Sequence, residues 1–231
     1  MAFGMSGARD EAVPAVEWAG VREFTVGTVE RPATKQRARP VRGPRAIRVP
    51  KGAGNSKVFA PCAYVAAVAP PVPQSAMEPC LYEDPDAQRL LCYLVAEGGE
   101  GGERRIQVFD GLGEEIGVIR RVPPSSKPFK HTWRIEQPGH PEIVGRNQWS
   151  GFNAKRLAQR AADNVVPEVL NAVTGMGPDD THNSPVRKSR TLEWVADGEL
   201  VMTSQSIKLL TIKADWLDRR LAFAFAVVGD G

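Results

Sequence analysis

Eight consecutive residues near the end of the chain, Leu221-Ala-Phe-Ala-Phe-Ala-Val-Val228, carry no polar side chain at all. The alternation of large and small residues fits a strand by period alone. Three alanines argue instead for a helix, because alanine is the best helix former and is depleted in strands. Asp215 is placed to cap it, Asp218 follows three residues later in the manner of a capping box, and Gly229 stands where a helix stops. The spacing therefore predicts a helix over 215–229. Its last two turns would be apolar on every side, which requires burial all round or insertion into lipid. Eight residues at ~1.5 Å each reach about 12 Å, against roughly 30 Å of bilayer hydrocarbon. A spanning segment is excluded, and the rest of the chain has to wrap this one. Trp216, Leu217, Leu221, Phe223, Phe225 and Val227 are read as core, with Arg219 and Arg220 at a rim with their heads in water.

The wrapping is predicted to be strands. Gly 22 and Pro 19 in 231 residues favour many turns. Leu90 to Val95 is a compact apolar run, Ile106 to Phe109 alternates, Asp110-Gly111 marks a tight turn, and Ile116 to Ile119 returns. Thr132 to Glu136, turning at Pro138-Gly139 and returning through Glu142 to Gly145, reads as a second hairpin. Thr191 to Val195, Leu200 to Thr203 and Ile207 to Ile212 are further strands. Between them Asn153 to Val173 places apolar residues at helical spacing, so a helical insert near 153–174 is expected, divided at Pro167.

The N-terminal third differs. Residues 1–76 hold eleven Lys/Arg against five Asp/Glu, whereas 77–231 hold nineteen against twenty-two. Val21 to Val29 alternates as one strand. From Arg31 to Gly54 there are eight Lys/Arg, four prolines and no acid. Too little apolar surface is available there to offset the entropy of ordering, so residues 1–55 are expected to be a largely disordered basic arm. Residues 56–76, with Val58 to Val72 rich in Ala and Pro, are a strand or a cover segment. Met77 precedes the clear periodicity, so 1–76 reads as an arm of low structural content or an over-extended start, and 77–231 as the folded domain.

Three sequence runs carry a family likeness: Gln107-Val-Phe-Asp-Gly-Leu-Gly-Glu-Glu-Ile-Gly-Val-Ile-Arg-Arg121, Thr132-Trp-Arg-Ile135 and Ala214-Asp-Trp-Leu-Asp-Arg-Arg-Leu-Ala-Phe-Ala-Phe-Ala226. Together they resemble the phospholipid scramblase and LURP-one-related branch of the tubby C-terminal-like superfamily, over roughly 104–145 and 191–230. The resemblance implies a mainly β fold, an antiparallel twelve-stranded barrel of tubby-like type wrapped around a hydrophobic C-terminal helix. Scramblase relatives carry an acid-rich calcium loop before that helix. Only Asp215 and Asp218 stand there in this chain, so no metal is expected.

No recognisable chemistry stands out. Cys62, Cys80 and Cys92 lack metal or disulfide spacing, and His131, His140 and His182 are scattered. Gly111, Gly113 and Gly117 are spaced unlike a dinucleotide fingerprint and precede a strand, so they are read as turn glycines. A non-enzymatic, cofactor-free protein is expected, cytoplasmic or peripheral to the membrane. Arg37, Arg39, Arg42, Arg45, Arg48 and Lys51 are the candidate ligands for an anionic partner: anionic phospholipid, an unidentified protein, or, more weakly since the arm lacks stacking aromatics, nucleic acid. Lys155, Arg156 and Arg160 read as a wet helix face. Scramblase-like lipid transport is the alternative activity.

Overall fold

The computed structural model of the chain describes residues 12–66, 79–98, 102–123, 132–147, 191–205 and 209–229. They form twelve strands and a terminal helix: β1 (Glu23–Arg31), β2 (Val41–Lys51), β3 (Val58–Ala66), β4 (Cys80–Tyr82), β5 (Leu90–Gly98), β6 (Arg104–Asp110), β7 (Glu115–Val122), β8 (Thr132–Glu136), β9 (Ile143–Asn147), β10 (Thr191–Ala196), β11 (Glu199–Gln205), β12 (Leu209–Ile212) and α1 (Arg219–Val228). Every strand pairs antiparallel with its sequence neighbour, and β1 closes on β12 through Glu23 opposite Thr211 and Phe24 opposite Leu210. The result is a closed up-and-down barrel. The insert expected near 153–174 lies outside the described residues.

Closure depends on the part of the chain expected to be loose. β1, β2 and β3 are three of the twelve staves, so residues 23–66 are part of the barrel and not a disordered arm. The composition of β2 hides its alternation: Ile47 and Val49 face the core, while Arg48 between them faces out. Arg48 is fully buried nonetheless. Its guanidinium donates to the carbonyls of Gly27 (3.0 Å), Phe59 (3.1 Å) and Pro44 (2.7 Å), and pairs with Glu30 at 3.3 Å. Those carbonyls lie beside the ladder irregularities of β1 and β2, where prolines and bulges leave acceptors unmatched. The arginine that composition assigned to solvent thus completes the hydrogen bonding of the wall.

The helix fills the barrel. At ~4.8 Å between strands and a tilt of ~40°, twelve staves give a radius of roughly 12 Å. That leaves about one packing layer between wall and helix axis. Leu221 through Val228 are all buried, with the first six fully inaccessible. Phe223 meets Phe24 edge to face at 4.8 Å, and Phe225 meets Trp194 at 4.5 Å and Trp133 at 5.4 Å. Burial of Leu221, Phe223, Phe225, Val227 and Val228 contributes on the order of 10 kcal/mol at ~1.5–3 kcal/mol each.

The helix is shorter than its sequence signals suggest. Asp218, not Asp215, caps it by accepting from the Arg220 N–H, and Gly229 closes it. Trp216 and Leu217 precede the first turn. Leu217 is buried, while Trp216 is half-buried and stacks on His140 at 4.5 Å. Gln137 clamps this entry by donating to the Trp216 carbonyl and accepting from the Asp218 N–H. Arg219 is not at a wet rim: it is 8% exposed and donates to the Leu217 carbonyl at 2.5 Å. Gly117 is a wall residue, not a turn glycine, because an added Cβ there would strike Leu221.

Candidate functional site

The meander gives the barrel two unlike ends. At the entry mouth, where α1 begins, lie the turns 52–57, 83–89, 111–114, 137–142 and 197–198. At the exit mouth, where α1 ends, lie the β1–β2 connection, the start of β6, the end of β7 and the start of β8.

The structure divides the six basic candidates. Arg37, Arg39, Arg42 and Arg45 share the exit end, on the β1–β2 hairpin, with Lys35 beside them. Their connection is ordered by reciprocal backbone hydrogen bonds between Thr34 and Arg37, and Arg37 donates to the Pro32 carbonyl at 3.2 Å. Arg42 is exposed and donates to Thr28 Oγ1 at 2.9 Å, and Arg39 and Arg45 are exposed as well. Arg48 is consumed by the wall and is withdrawn from the candidate set. Lys51 is exposed but sits at the opposite end of β2, nine residues and about 30 Å from Arg42 at ~3.3 Å per residue.

A second basic sector was not anticipated. Register places Arg105, Arg120 and Arg134 side by side on β6, β7 and β8. Like charges directly opposite one another repel, and carboxylates offset this: Glu103 and Glu136 bind Arg120 at 2.5 and 2.6 Å, and Glu142 binds Arg134 at 2.8 Å. Hydrogen bonds to Glu103 and Glu136 raise the Arg120 pKa, and the Arg120 bond holds Glu103 below its usual range. One residue along, the Arg121 guanidinium lies 5.6 Å over the Trp133 ring. Arg105 is half exposed and only loosely paired, with Glu97 at 3.7 Å.

Cutting each stave at its middle exposes the larger pattern. Among the described residues, the exit half (28–45, 63–81, 95–107, 119–134, 144–193, 203–210) carries twelve Lys/Arg and four Asp/Glu, a net of +8. The remainder, the entry half, carries eight Lys/Arg and fourteen Asp/Glu, a net of −6. The barrel is electrically polar along its axis.

Other places offer less chemistry. A cavity of about 160 Å³ at the entry end is lined by Val16, Glu17, Trp18, Cys62, Glu83 and Arg89, but Glu83 already accepts from Trp18 Nε1 at 3.1 Å and pairs with Arg89 at 3.5 Å. All three cysteines are buried. Burial pushes the Cys62 thiol up to about 12 and the Cys80 thiol to about 11, and raises Cys92 further, the reverse of what a nucleophile needs. Among the described residues no cluster of His, Cys, Asp and Glu is arranged to hold a metal. Comparison of the chain with protein-family models, with curated proteins and with solved structures returns no match.

Proposed function

We propose that the chain is a non-catalytic binding module that attaches peripherally to the cytoplasmic face of a membrane through anionic lipid headgroups, in keeping with the tubby-like resemblance of its sequence. The observation carrying this reading is the β1–β2 hairpin. It displays Lys35, Arg37 and Arg39 on its connection and Arg42 and Arg45 on β2, with Glu30 as the one nearby acid, already paired with Arg48. Each basic side chain brought to an anionic surface contributes about 1 kcal/mol. Lipid scrambling is disfavoured as the alternative: the barrel interior is occupied by α1, and among the described residues no helix is long and apolar enough to cross a membrane.

Vesicle flotation tests the reading. The protein is expected to float with vesicles of mixed neutral and anionic phospholipid at low salt, and to stay behind with neutral vesicles. Replacement of Lys35, Arg37, Arg39 and Arg42 by glutamine should abolish flotation while leaving the unfolding midpoint unchanged. Equal recovery on neutral vesicles would refute it.

A further inference from the structure

β4 is too short to finish its part of the wall. It runs three residues between two nine-residue strands, and it pairs with β3 only from Tyr64 to Ala66. Towards the entry end, β3 from Val58 to Ala63 therefore has β2 on one side and no stave on the other. The chain ahead of β1 lies in that gap. The Val16 N–H donates to the Pro61 carbonyl at 2.9 Å. Val16 and Trp18 turn inward against the core, while Ala15, Glu17 and Ala19 stay exposed. Such alternation is that of an extended segment.

The segment is lightly held. Among the described residues, the main chain of 12–18 makes that one hydrogen bond to the wall, and its side chains make one more, from Trp18 Nε1 to Glu83 Oε1 at 3.1 Å. A cavity of about 160 Å³ remains between the segment and the wall, lined in part by Val16, so the fit is loose. Beyond the indole the chain is pinned again: the Arg22 carbonyl accepts from the Ile212 N–H at 2.7 Å, and the Arg22 side chain pairs with Asp215. Between these anchors stand Ala19 and Gly20, both exposed, with open space around Gly20. They supply a hinge.

The walls of the gap do not need the segment. Glu83 is tied to Arg89 by a backbone hydrogen bond of 2.9 Å and a side-chain pair at 3.5 Å. Arg220, whose guanidinium lies 5.7 Å over the Trp18 ring, is fixed by Asp218 at 2.7 Å and faces Asp110 at 3.9 Å. An acceptor for an indole N–H and a cation for its face are therefore held in place independently of Trp18.

We infer that residues 12–18 are a displaceable strap, occupying in cis a slot for an extended segment of a partner protein that carries a tryptophan and, two residues before it, an apolar side chain larger than valine. The resident segment is the template for that chemistry: a backbone N–H on Pro61, an indole on Glu83 and Arg220, and at Val16 a side chain that leaves the cavity unfilled. Strand addition of this kind draws affinity from the main chain and specificity from side-chain pockets. The slot is at the entry end, away from the basic hairpin, and does not depend on the membrane reading.

Two measurements on the full chain test it. In hydrogen exchange, the Val16 amide should exchange at least roughly tenfold faster than the paired amides of β6 and β7, and independently of low urea, because a local opening releases it. Fluorophore-labelled peptides spanning residues 12–22 then probe the slot in Trp18→Ala, whose own strap has lost its anchor. The native peptide should bind this variant roughly tenfold more tightly than it binds the parent, where the intact strap competes. Val16→Leu in the peptide should tighten binding, and Trp18→Ala in the peptide should abolish it. A Val16 amide that exchanges only with global unfolding, or a Trp18→Ala protein that fails to fold, makes the segment an integral stave and overturns the strap. No peptide binding to the folded variant, or binding indifferent to the peptide's tryptophan, overturns the slot. No gain from Val16→Leu overturns the larger side chain. A parent chain that dimerises through Trp18 assigns the slot to the strap of a second copy and overturns the partner.

Discussion

Replacing Gly117 by alanine would test how closely the wall grips the helix. An alanine Cβ at that position would lie 2.3 Å from the Glu136 carbonyl oxygen and 2.9 and 3.0 Å from the two Leu221 methyls. A carbon and an oxygen in ordinary contact stand about 3.3 Å apart or more, so one of the neighbours must retreat by about 1 Å. Leu221 has no free space to enter, and the Glu136 backbone is held by its pairing with Val118. The backbone φ of +155° at Gly117 adds strain for any side chain. Overpacking of this kind costs ~1–3 kcal/mol, and a residue held in a rarely populated conformation ~1–3 kcal/mol more. The expected loss is therefore about 2–6 kcal/mol, a large part of the ~5–15 kcal/mol that stabilises an ordinary domain.

Urea unfolding followed by tryptophan fluorescence measures this, with Trp133 and Trp194 reporting directly on the packing around Phe225. Gly27→Ala is the matched control. It is also a strand glycine, but nothing lies within 4 Å of its added Cβ, so the change should be neutral or stabilise by up to about 1 kcal/mol. Combining Gly117→Ala with Leu221→Ala removes the methyl contacts and leaves the carbonyl clash, so the pair should cost less than the sum of the single changes. A Gly117→Ala protein within ~0.5 kcal/mol of the parent, or matching Gly27→Ala, would refute the tight-wall account.

Three further outcomes follow from the same structure. Arg48→Met should destabilise by roughly 3–5 kcal/mol, because it leaves Glu30 and three carbonyls without their donor; a midpoint shift below ~1 kcal/mol in urea would return Arg48 to the surface set. The Cys80 and Cys92 thiols should react with a soluble disulfide reagent only as fast as the barrel opens, so either one labelled at the rate of a free thiol contradicts their burial. Burial pushes the Asp110 carboxyl up, but the N–H groups of Glu114 and Leu112 and the nearby Arg220 together hold it below its usual range. Its contribution is thus present above the ordinary aspartate value of ~3.9 and is lost as pH falls through its lower folded value. Stability measured between pH 5 and pH 3 should fall less steeply in Asp110→Asn than in the parent, and parallel curves would show that the turn draws nothing from the carboxylate.

The strands from Leu90 onward were legible because each carried an apolar run or an alternation bounded by its own turn residues. Asp110-Gly111 and Pro138-Gly139 mark hairpins that the structure places where the sequence puts them. β2 was illegible for a different reason. Counting charge and proline over a window averages the two faces of a strand, and in β2 one face is Ile47 and Val49 while the other is Arg48, satisfied by backbone carbonyls of β1, β3 and β2 itself. β4 is only three residues long and has no period to show. At the helix, Asp215 and Asp218 are chemically equivalent caps in the sequence. Gln137, a residue 81 positions away from Asp218, clamps the chain there and helps fix the start.

The basic end was half legible, and the missing half shows what kind of property it is. The hairpin cations are consecutive, so composition finds them even while misjudging their order. Arg105, Arg120 and Arg134 are separated by acids, and any window containing them reads as a neutral wet face. In an up-and-down meander the end of the barrel a residue occupies depends on its distance from the nearest turn, so strand ends far apart in sequence converge on one mouth. A +8 half against a −6 half therefore arises only once all twelve boundaries are known. Packing does not require it: apart from Arg48 and Arg219 the buried residues are uncharged, and reversing any exposed pair between the two ends would leave every buried contact in place. Self-repulsion among like charges makes such segregation mildly unfavourable for the isolated barrel. We propose that an anionic surface at the basic mouth offsets that cost, and flotation on anionic vesicles is the measurement that looks for it.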